Sequence, residues 1–340
     1  MKLQISCVSE STPPWFARVQ NLVLSIRRFD GSLGDALINV DFIGDVPASF
    51  ERSLREQGVA VNVVEPISEA GGPANKLRMF ELDESADCDV LVALDCDVVV
   101  VDDFADRLST GSIGMKPADY HRFNSRDWLR LYEMDGRTAP KSSYTATSSG
   151  DHMPPYFNSG VITVPRHLCR SLCDLWRESY QKLTGWLHQD PHLIPKHLHY
   201  FNDQIALALA VSELPHVALP VGMNFPTHAP VHPSAMTEGE RISILHYHGE
   251  VDDRGFLLRP RSEEAVGPAD AFNMFRATQL SLPYSGLRSR TGLERLRASM
   301  HEPRRMLARR HRVRTWIRDA GMRHGSGSVR GEISERANER

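Results

Sequence analysis

Two aspartates, Asp95 and Asp97, are the residues of this 340-residue chain whose type and spacing point most directly to chemistry. They flank a cysteine between two short apolar runs, residues 90–93 and 98–101, which are typical of a strand buried on both faces of a sheet. In extended backbone, carboxylates two positions apart point to the same side, about 6–7 Å from each other. Because two unpaired buried charges would be too costly, we interpret the pair as ligands of one divalent cation at the mouth of a sheet.

Two other interpretations of this Asp-x-Asp pattern stay open. The first is a solvent-exposed strand end, where water would solvate an unpaired carboxylate and no metal would be needed. Haloacid-dehalogenase-type phosphatases use the same pattern, but they place it on their first strand and follow it with threonine. Here it lies on the fourth predicted strand, and Val98 and Val99 follow it.

Polar residues adjoin apolar segments at two further places. Asn158 and Ser159 begin an apolar strand, and Gly160 leaves room for another backbone or a ligand to approach. Asp203 and Gln204 open an apolar helix. Ordinary structural roles also fit these residues: a turn that enters a strand in the first case, and a helix N-cap in the second.

Two histidines, His246 and His248, end an apolar strand and alternate with Tyr247, so that they share one face. A lone histidine at such a place would more often be structural. Imidazole beside carboxylates suits Mn²⁺ better than Mg²⁺, which prefers an all-oxygen shell. If the histidines reach the aspartates, the residue types favour manganese.

The elements that must position these residues alternate between strands and helices with short links. Such alternation predicts a doubly wound α/β fold with a mostly parallel sheet. Its ligands bind outside the carboxyl ends of the strands, where Ser9, Glu10, Asp95 and Asp97 would fall. Strands are predicted at residues 3–8, 37–43, 59–64, 90–101, 111–116, 157–164, 216–220 and 242–247, helices at 15–29, 48–57, 75–82, 125–134, 168–187 and 202–214, and a long loop at 136–155.

The composition is that of an ordinary soluble globular protein, with 41% hydrophobic and 24% charged residues. The chain opens directly with a strand-like segment, so no secretory signal is expected. No apolar run reaches the roughly 18–20 residues of a membrane span. Five scattered cysteines, an odd number, favour reduced thiols. We therefore expect a cytoplasmic protein.

The last part of the chain is basic. From residue 286 onward there are 15 Arg, no Lys and 6 acidic residues, whereas 25 basic and 37 acidic residues precede it. An acidic body argues against an enzyme of nucleic acids. We predict a catalytic domain at 1–285, a helical extension at 286–324 with a helix at 303–320, and a disordered tail at 325–340. The extension is interpreted as a solvated helix packed on the body or, alternatively, as a peripheral contact with an anionic membrane.

Taken in order, these residues resemble glycosyltransferase family 8, whose members have the GT-A fold and transfer a sugar from a nucleotide-sugar donor with retention of anomeric configuration. The similarity covers roughly residues 3–255 and does not explain the basic tail. Each motif is unspecific by itself, but their order and spacing are hard to obtain by chance. The matching residues are Asn75-Lys76-Leu77, Leu94-Asp95-Cys96-Asp97, Phe157-Asn158-Ser159-Gly160, Asp203-Gln204, Leu219-Pro220, Asn224-Phe225-Pro226 and His246-Tyr247 with Gly249.

The resemblance implies a GT-A-type mixed, mostly parallel sheet, Mn²⁺ or Mg²⁺ as the cofactor, a donor such as a UDP-sugar, and a glycan or lipid-linked acceptor. Gln204 would stabilise the oxocarbenium-like carbon during front-face attack, and Asp203 would orient the acceptor. The resemblance implies a metal site of Asp95, Asp97 and His246. The implied donor site contains the two aspartates together with Ser9, Glu10 and Lys76. The implied reaction centre consists of Asn158, Asp203 and Gln204.

The chain departs from the family after Gly249. The family's Lys-Pro-Trp, three residues beyond that glycine, is replaced by Asp252-Asp253-Arg254. Arg254 or Arg259 could neutralise the diphosphate instead, and we assign Arg254 to the donor site.

Two further classes of function stay open. A sugar-nucleotide pyrophosphorylase shares the sheet topology, but it would carry a Gly-rich, Arg-containing phosphate loop after the first strand, where this chain has Ser-Glu-Ser-Thr-Pro-Pro at 9–14. A non-catalytic protein that binds a nucleotide or carbohydrate is the other class, and the missing Lys-Pro-Trp keeps it open.

Overall fold

The structure is a computed structural model that describes residues 1–67, 72–82, 87–120 and 123–289. The elements and contacts given below are those of these residues. Met1–Arg288 form one compact unit, and a second unit, Ser289–Arg340, lies almost entirely outside the described residues. The helix and the disorder predicted for the tail fall in that second unit, and the predicted domain boundaries stay predictions.

The strands and helices of the first unit alternate along the chain, as the sequence predicts. The strands are β1 (Leu3–Glu10), β2 (Leu37–Ile43), β3 (Val59–Val64), β4 (Val90–Leu94), β5 (Val98–Val100), β6 (Ile113–Pro117), β7 (Tyr144–Thr145), β8 (His152–Met153), β9 (Phe157–Pro165), β10 (His216–Ala218), β11 (Phe225–Pro226) and β12 (Ile244–His246). The α-helices are α1 (Pro13–Arg27), α2 (Gly31–Gly34), α3 (Ala48–Glu56), α4 (Ser125–Asp135), α5 (Cys169–Gln189), α6 (Asn202–Val211) and α7 (Val266–Gln279).

The central sheet has seven strands in the order β10-β6-β9-β4-β1-β2-β3. Strands β3, β2, β1 and β4 are parallel, β10 is parallel to β6, and β9 lies antiparallel between β4 and β6. Because β9 is reversed, it begins at the edge where its neighbours end. This reversal brings Asn158, Ser159 and Gly160 to the carboxyl ends of β1 and β4.

The β4 strand is buried along its whole length, as its apolar sequence predicts. Leu91 and Ala93 belong to a core that includes buried residues of α4, α5 and α6. Val90, Val92 and Leu94 belong to a core shared with α1 and α3. Helices therefore cover both faces of the sheet, and the predicted α/β fold class is confirmed.

A second sheet, in the order β11-β12-β5, forms where the chain leaves the central sheet. Between β4 and β5 the backbone turns at Cys96 and Asp97. The extended conformation predicted for Asp95 to Asp97 was therefore wrong, because these residues connect strands of two different sheets. Strand β12 is antiparallel to β5 and pairs His246 with Val98. This register places His246 next to the turn that carries both aspartates.

Most predicted elements are confirmed within a few residues of their bounds, but the strand predicted at 90–101 is divided between two sheets, and other differences follow. The helix predicted at 75–82 is a 3₁₀ helix, Gly72–Phe80. The segment 136–155 contains the short hairpin of β7 and β8, and helix α7 was not predicted. Among the described helices, none has both the length and the hydropathy that a membrane span requires.

Candidate active site

A cavity of about 490 Å³ opens at the carboxyl ends of β1 and β4. It contains nine of the ten residues that the sequence assigned to the site, and Arg254 is the exception. The nine residues in its wall are Ser9, Glu10, Lys76, Asp95, Asp97, Asn158, Asp203, Gln204 and His246. The structure thus brings together residues that are separated by up to 237 positions in the sequence.

The turn that carries the two aspartates is hydrogen-bonded on both sides. The Asp95 backbone N–H donates to the Gly160 carbonyl at 2.8 Å, and the Tyr247 backbone N–H donates to the Asp97 carbonyl at 3.0 Å. One bond therefore joins the turn to β9 of the central sheet, and the other joins it to the end of β12. Its two carboxylates are held at the junction of the two sheets.

His246 is buried and has a defined tautomer. Asn158 Oδ1 accepts from the Gly160 N–H at 2.8 Å and from Asn224 Nδ2 at 3.0 Å, which orients the Asn224 amide. Asn224 Oδ1 is then an acceptor 2.9 Å from His246 Nδ1, so Nδ1 carries the proton. The other ring nitrogen, Nε2, faces the aspartates, 3.2 Å from Asp97 Oδ1 and 4.0 Å from Asp95 Oδ2.

Gly160 is required at its position because His246 packs against it. A Cβ atom at residue 160 would lie 2.4 Å from His246 Cε1 and 2.9 Å from Asn158 Oδ1. Any side chain here would displace the imidazole. The sequence predicted a close approach at Gly160, and the structure identifies His246 as the group that approaches.

Lys76 lies between the carboxylates of Asp95 and Asp203 in the cavity wall. Its ammonium donates to Asp95 Oδ2 and to Ser159 Oγ, both at 2.8 Å, and lies 3.8 Å from Asp203 Oδ2. Ser159 in turn donates to Asp203 Oδ2 at 2.7 Å. Burial opposes the charge on Lys76, but Asp95 and Asp203 outweigh it and raise the pKa of Lys76. The lysine is therefore charged at neutral pH and neutralises part of a strongly acidic wall.

Asp95 and Asp97 differ in their electrostatics. Burial raises the pKa of Asp95, which the nearby Lys76 only partly offsets. Burial also opposes the charge of Asp97, but the adjacent His246, when it is protonated on both ring nitrogens, outweighs burial and lowers the pKa of Asp97. Asp97 therefore remains a carboxylate at any ordinary pH, which is the state that a metal ligand requires.

Two more histidines lie beside the predicted ligands. The His248 ring stacks on His246 with centroids 3.6 Å apart, and His228 packs edge-on against His248 at 4.1 Å. Burial, together with the other two histidines, lowers the pKa of His248 to about 2, so its ring is neutral at pH 7. Among the described residues, two groups are spaced to hold a cation: Asp97, His246 and His248, and Asp119, His228 and His248.

Asp95 does not belong to either of these two groups. Its Oδ2 atom is held by Lys76 and lies 4.0 Å from His246 Nε2. Asp97 and His246 belong to both the predicted metal set and the first of these groups, and the metal set stays a prediction. The third member of the group is His248, which the sequence placed on the same face as His246 without a role.

The predicted phosphate-binding arginines lie away from the cavity. Arg254 donates to the Pro283 carbonyl at 2.9 Å and stacks on Phe256, and it lines a different and smaller pocket. Arg259 makes a two-pronged ion pair with Glu263 at 2.9 Å. Placing Arg254 in the donor site was therefore wrong, because its loop turns it towards the segment after α7.

Arg18, on α1, is a site residue that the sequence analysis did not select. Its Nη1 atom lies 3.8 Å from Asp97 Oδ2, and its guanidinium lies over the Trp15 ring, 4.4 Å from the centroid. The amphipathic pattern of α1 did not single out this polar position. Asn224 was part of the recognised motif set but received no role, since only the tertiary contacts connect it to His246.

Comparison with known proteins finds similarity to glycosyltransferases. Residues 52–215 match the model of the Rhodobacterales glycosyltransferase domain. The chain is similar to an active-site mutant of LgtC, with a TM-score of 0.49 and 15% identity over 83% of this chain and 97% of that one. The galactosyltransferase LgtC in complex with donor and acceptor sugar analogs gives 0.47 at the same identity and coverage.

The glycosyltransferase GlyE of Streptococcus pneumoniae TIGR4 is also similar, with a TM-score of 0.46 and 15% identity over 84% of this chain and 66% of that one. Comparison with curated proteins gives no match. The domain match covers the strand that precedes the two aspartates, the reversed strand β9 and helix α6. Residues 52–215 therefore match a glycosyltransferase domain, and the matched segment contains strands and a helix that help to build the cavity.

Proposed function

We propose that this protein is a family 8-like glycosyltransferase that transfers a sugar from a nucleoside-diphosphate donor to an acceptor hydroxyl, with Mn²⁺ bound at the turn of Asp95 and Asp97. The observation that carries the proposal is the orientation of His246. Asn224 fixes its tautomer, and Nε2 faces Asp97 at 3.2 Å inside the cavity. A hydrogen bond that fixes the second ring nitrogen is the usual support of a metal-binding histidine.

The ligand types fit a manganese ion. Asp97 supplies a carboxylate with a lowered pKa, and His246 supplies a neutral nitrogen. Asp95 and His248 lie within reach as further ligands. A divalent cation at this place would act as a Lewis acid on the diphosphate oxygens and so help the leaving group.

The chain's own residues provide the remaining functions. The Lys76 ammonium is held among Asp95, Ser159 and Asp203, where it can stabilise negative charge on the donor. Asp203 is almost fully buried and fixed by Ser159, so its carboxylate can orient an acceptor hydroxyl. Gln204 lines the cavity, and among the described residues none hydrogen-bonds its amide. That amide is available to the donor sugar.

Retention of configuration follows from these roles. The predicted reaction centre of Asn158, Asp203 and Gln204 contains one carboxylate, and Ser159 and Lys76 already hold it. An attack by the acceptor hydroxyl on the face that the diphosphate leaves needs no protein nucleophile. Gln204 would then stabilise the oxocarbenium-like carbon through its amide oxygen.

A first experiment screens nucleotide-sugars by thermal shift, with Mn²⁺ and with EDTA. A donor at 100 times its Kd stabilises the fold by about 2.7 kcal/mol, and the shift should require Mn²⁺. Hydrolysis of that donor should be lost in Asp97→Ala and kept in Asp253→Ala, which changes an exposed aspartate elsewhere. NMR of the sugar product should show the anomeric configuration of the donor, and an inverted product would contradict the retaining mechanism.

A non-catalytic binding protein is the second candidate, because Arg254 lies outside the cavity and the family's Lys-Pro-Trp is absent. Thermal stabilisation by a nucleotide-sugar without any hydrolysis or transfer would favour it.

A further inference from the structure

Arg18 lies next to two residues of the cavity wall, Trp15 and Asp97, in a position that its contacts within the protein do not explain. Its side chain is only 19% exposed. The guanidinium stacks on Trp15, which lines the cavity, and its Nη2 atom lies 2.6 Å from the place where a Cβ atom of residue 249 would be. Arg18 is therefore held between α1, the Asp97 carboxylate and the turn at Gly249.

The guanidinium of Arg18 has unused hydrogen-bond donors. Among the described residues none accepts a hydrogen bond from it, and its Nε atom is buried without a partner. The Asp97 oxygen at 3.8 Å is close enough for an ion pair but too far for a hydrogen bond. Arg27, on the same helix, donates instead to the carbonyls of Gln57, Gly34, Ala36 and Gly58.

Such an unsatisfied guanidinium is unusual and indicates a missing partner. Buried polar groups in native proteins are nearly always hydrogen-bonded, and each exception calls for an explanation. A guanidinium has five N–H donors and no acceptor, so the missing partner must be an acceptor, and an anion is the best one. Neutral sugar hydroxyls would satisfy such a group less well than the paired oxygens of a phosphate.

The other cations at the cavity already have partners. Lys76 donates to Asp95 and Ser159, and Lys116 donates to Asp119 and Thr147. Arg18 is thus the cation next to the aspartate turn that retains free donors, as far as the described residues show.

We infer that Arg18 binds the diphosphate of the donor and replaces the lysine that this chain lacks after Gly249. The inference rests on the proposed function, since it names the residue that holds the donor's phosphates at the same site. A fixed positive charge here stabilises the leaving group as its negative charge grows. The sequence-based candidates, Arg254 and Arg259, are engaged elsewhere.

The test compares Arg18→Gln and Arg18→Lys with wild type in the full chain. Titration calorimetry with Mn²⁺ present measures Kd for inorganic pyrophosphate, UDP and GDP, and electron paramagnetic resonance measures Mn²⁺ binding alone. Arg28→Gln is the matched control, because Arg28 directly follows α1, also stacks on an aromatic ring, and donates to the Val101 carbonyl. Neither Phe29 nor Val101 lines the cavity, whereas Trp15 and Asp97 do. Thermal melts verify that each variant is folded.

We expect Arg18→Gln to raise Kd for the diphosphates at least about 10-fold, the usual effect of losing a hydrogen-bonded charge. Arg18→Lys should recover part of this loss, since lysine keeps the charge without the planar fork. Binding of Mn²⁺ alone should be unchanged or tighter in Arg18→Gln, because a repelling charge beside Asp97 is removed. If Arg18 had a purely structural role, Arg18→Gln would weaken the binding of Mn²⁺ and of the diphosphates together.

Three results would overturn the inference: unchanged diphosphate affinity in Arg18→Gln, an equal loss of Mn²⁺ and diphosphate binding, or the loss appearing in Arg254→Gln instead. Its failure can be told apart from failure of the proposed function. If wild type binds UDP or GDP but Arg18→Gln binds them equally well, only the inference fails. If wild type binds pyrophosphate through Arg18 but binds neither UDP nor GDP, the proposed nucleotide donor is contradicted and the role of Arg18 is kept. If wild type binds none of the three probes, both proposals are contradicted.

Discussion

At the scale of single residues, a chain of side-chain amides determines what His246 can do. Gly160 N–H fixes Asn158, Asn158 fixes the orientation of Asn224, and Asn224 fixes the His246 tautomer. Asn158 is therefore tied into the support of His246, whereas the resemblance implied contact with the sugar. Its Oδ1 atom is occupied by two donors, so Asn158 acts here as a positioning residue.

Removing this support is predicted to weaken metal binding without unfolding the protein. Asn224→Ala should lower Mn²⁺ affinity by about 10–100-fold, because the imidazole loses the acceptor that fixes Nδ1–H. Asn224→Asp keeps that acceptor and should lose less. Isothermal titration with Mn²⁺ measures both.

Asn62→Ala is the control for that prediction, because the Asn62 side chain donates to Asn39 and Asp41 on the two strands at the far edge of the sheet, β2 and β3. Wild-type Mn²⁺ affinity in Asn224→Ala would show that His246 is not a ligand.

At the scale of elements, the reversal of β9 and the pairing of β12 with β5 build the cavity. Parallel strands alone would carry Asn158 and Ser159 to the opposite edge of the sheet, away from Asp95. The antiparallel register of β4 and β9, with Leu94 opposite Val161, places them directly beyond the end of β4. Strand β12 then brings His246 to the same point from the second sheet.

Close packing between β9 and His246 gives a prediction at this scale. Gly160→Ala should abolish most Mn²⁺-dependent donor hydrolysis, because its Cβ would lie 2.4 Å from His246 Cε1. The matched control is Gly185→Ala on α5, where a Cβ meets nothing within 4 Å. That variant should keep its hydrolysis rate and gain about 0.5–1 kcal/mol in the free energy of unfolding, measured with urea. Full hydrolysis in Gly160→Ala would refute the tight packing.

At the scale of the whole molecule, Met1–Arg288 contain every residue assigned to the site. A chain truncated after Arg288 should therefore keep the donor hydrolysis rate and the melting temperature of this unit. A large loss of either would show that the basic segment completes the catalytic unit. Co-sedimentation with phosphatidylserine vesicles then separates the two interpretations of the tail. If the tail contacts a membrane, the full chain should pellet with the vesicles and the truncated chain should not. If the tail is a solvated helix, the truncation should make no difference.

Much of the candidate site could be predicted because its residues follow elements with strong sequence signals. The apolar runs of β4 and β9 locate Asp95, Asp97 and Asn158, and the apolar start of α6 locates Asp203. Arg18 carries no such signal. It is one polar residue on an amphipathic helix, and its neighbours in space come from the turns after β4 and β12.

The amino-acid sequence by itself determined the α/β class and the order of most elements, because these depend on local patterns of apolar and polar residues. Together with the resemblance to glycosyltransferase family 8, it also indicated nine residues that line the cavity. Only the tertiary structure decided that the aspartates lie on a turn between two sheets, that His248 joins His246, and that Arg18 rather than Arg254 lies beside Asp97. Those outcomes depend on strand direction and register, which bring distant residues together and which no local pattern specifies.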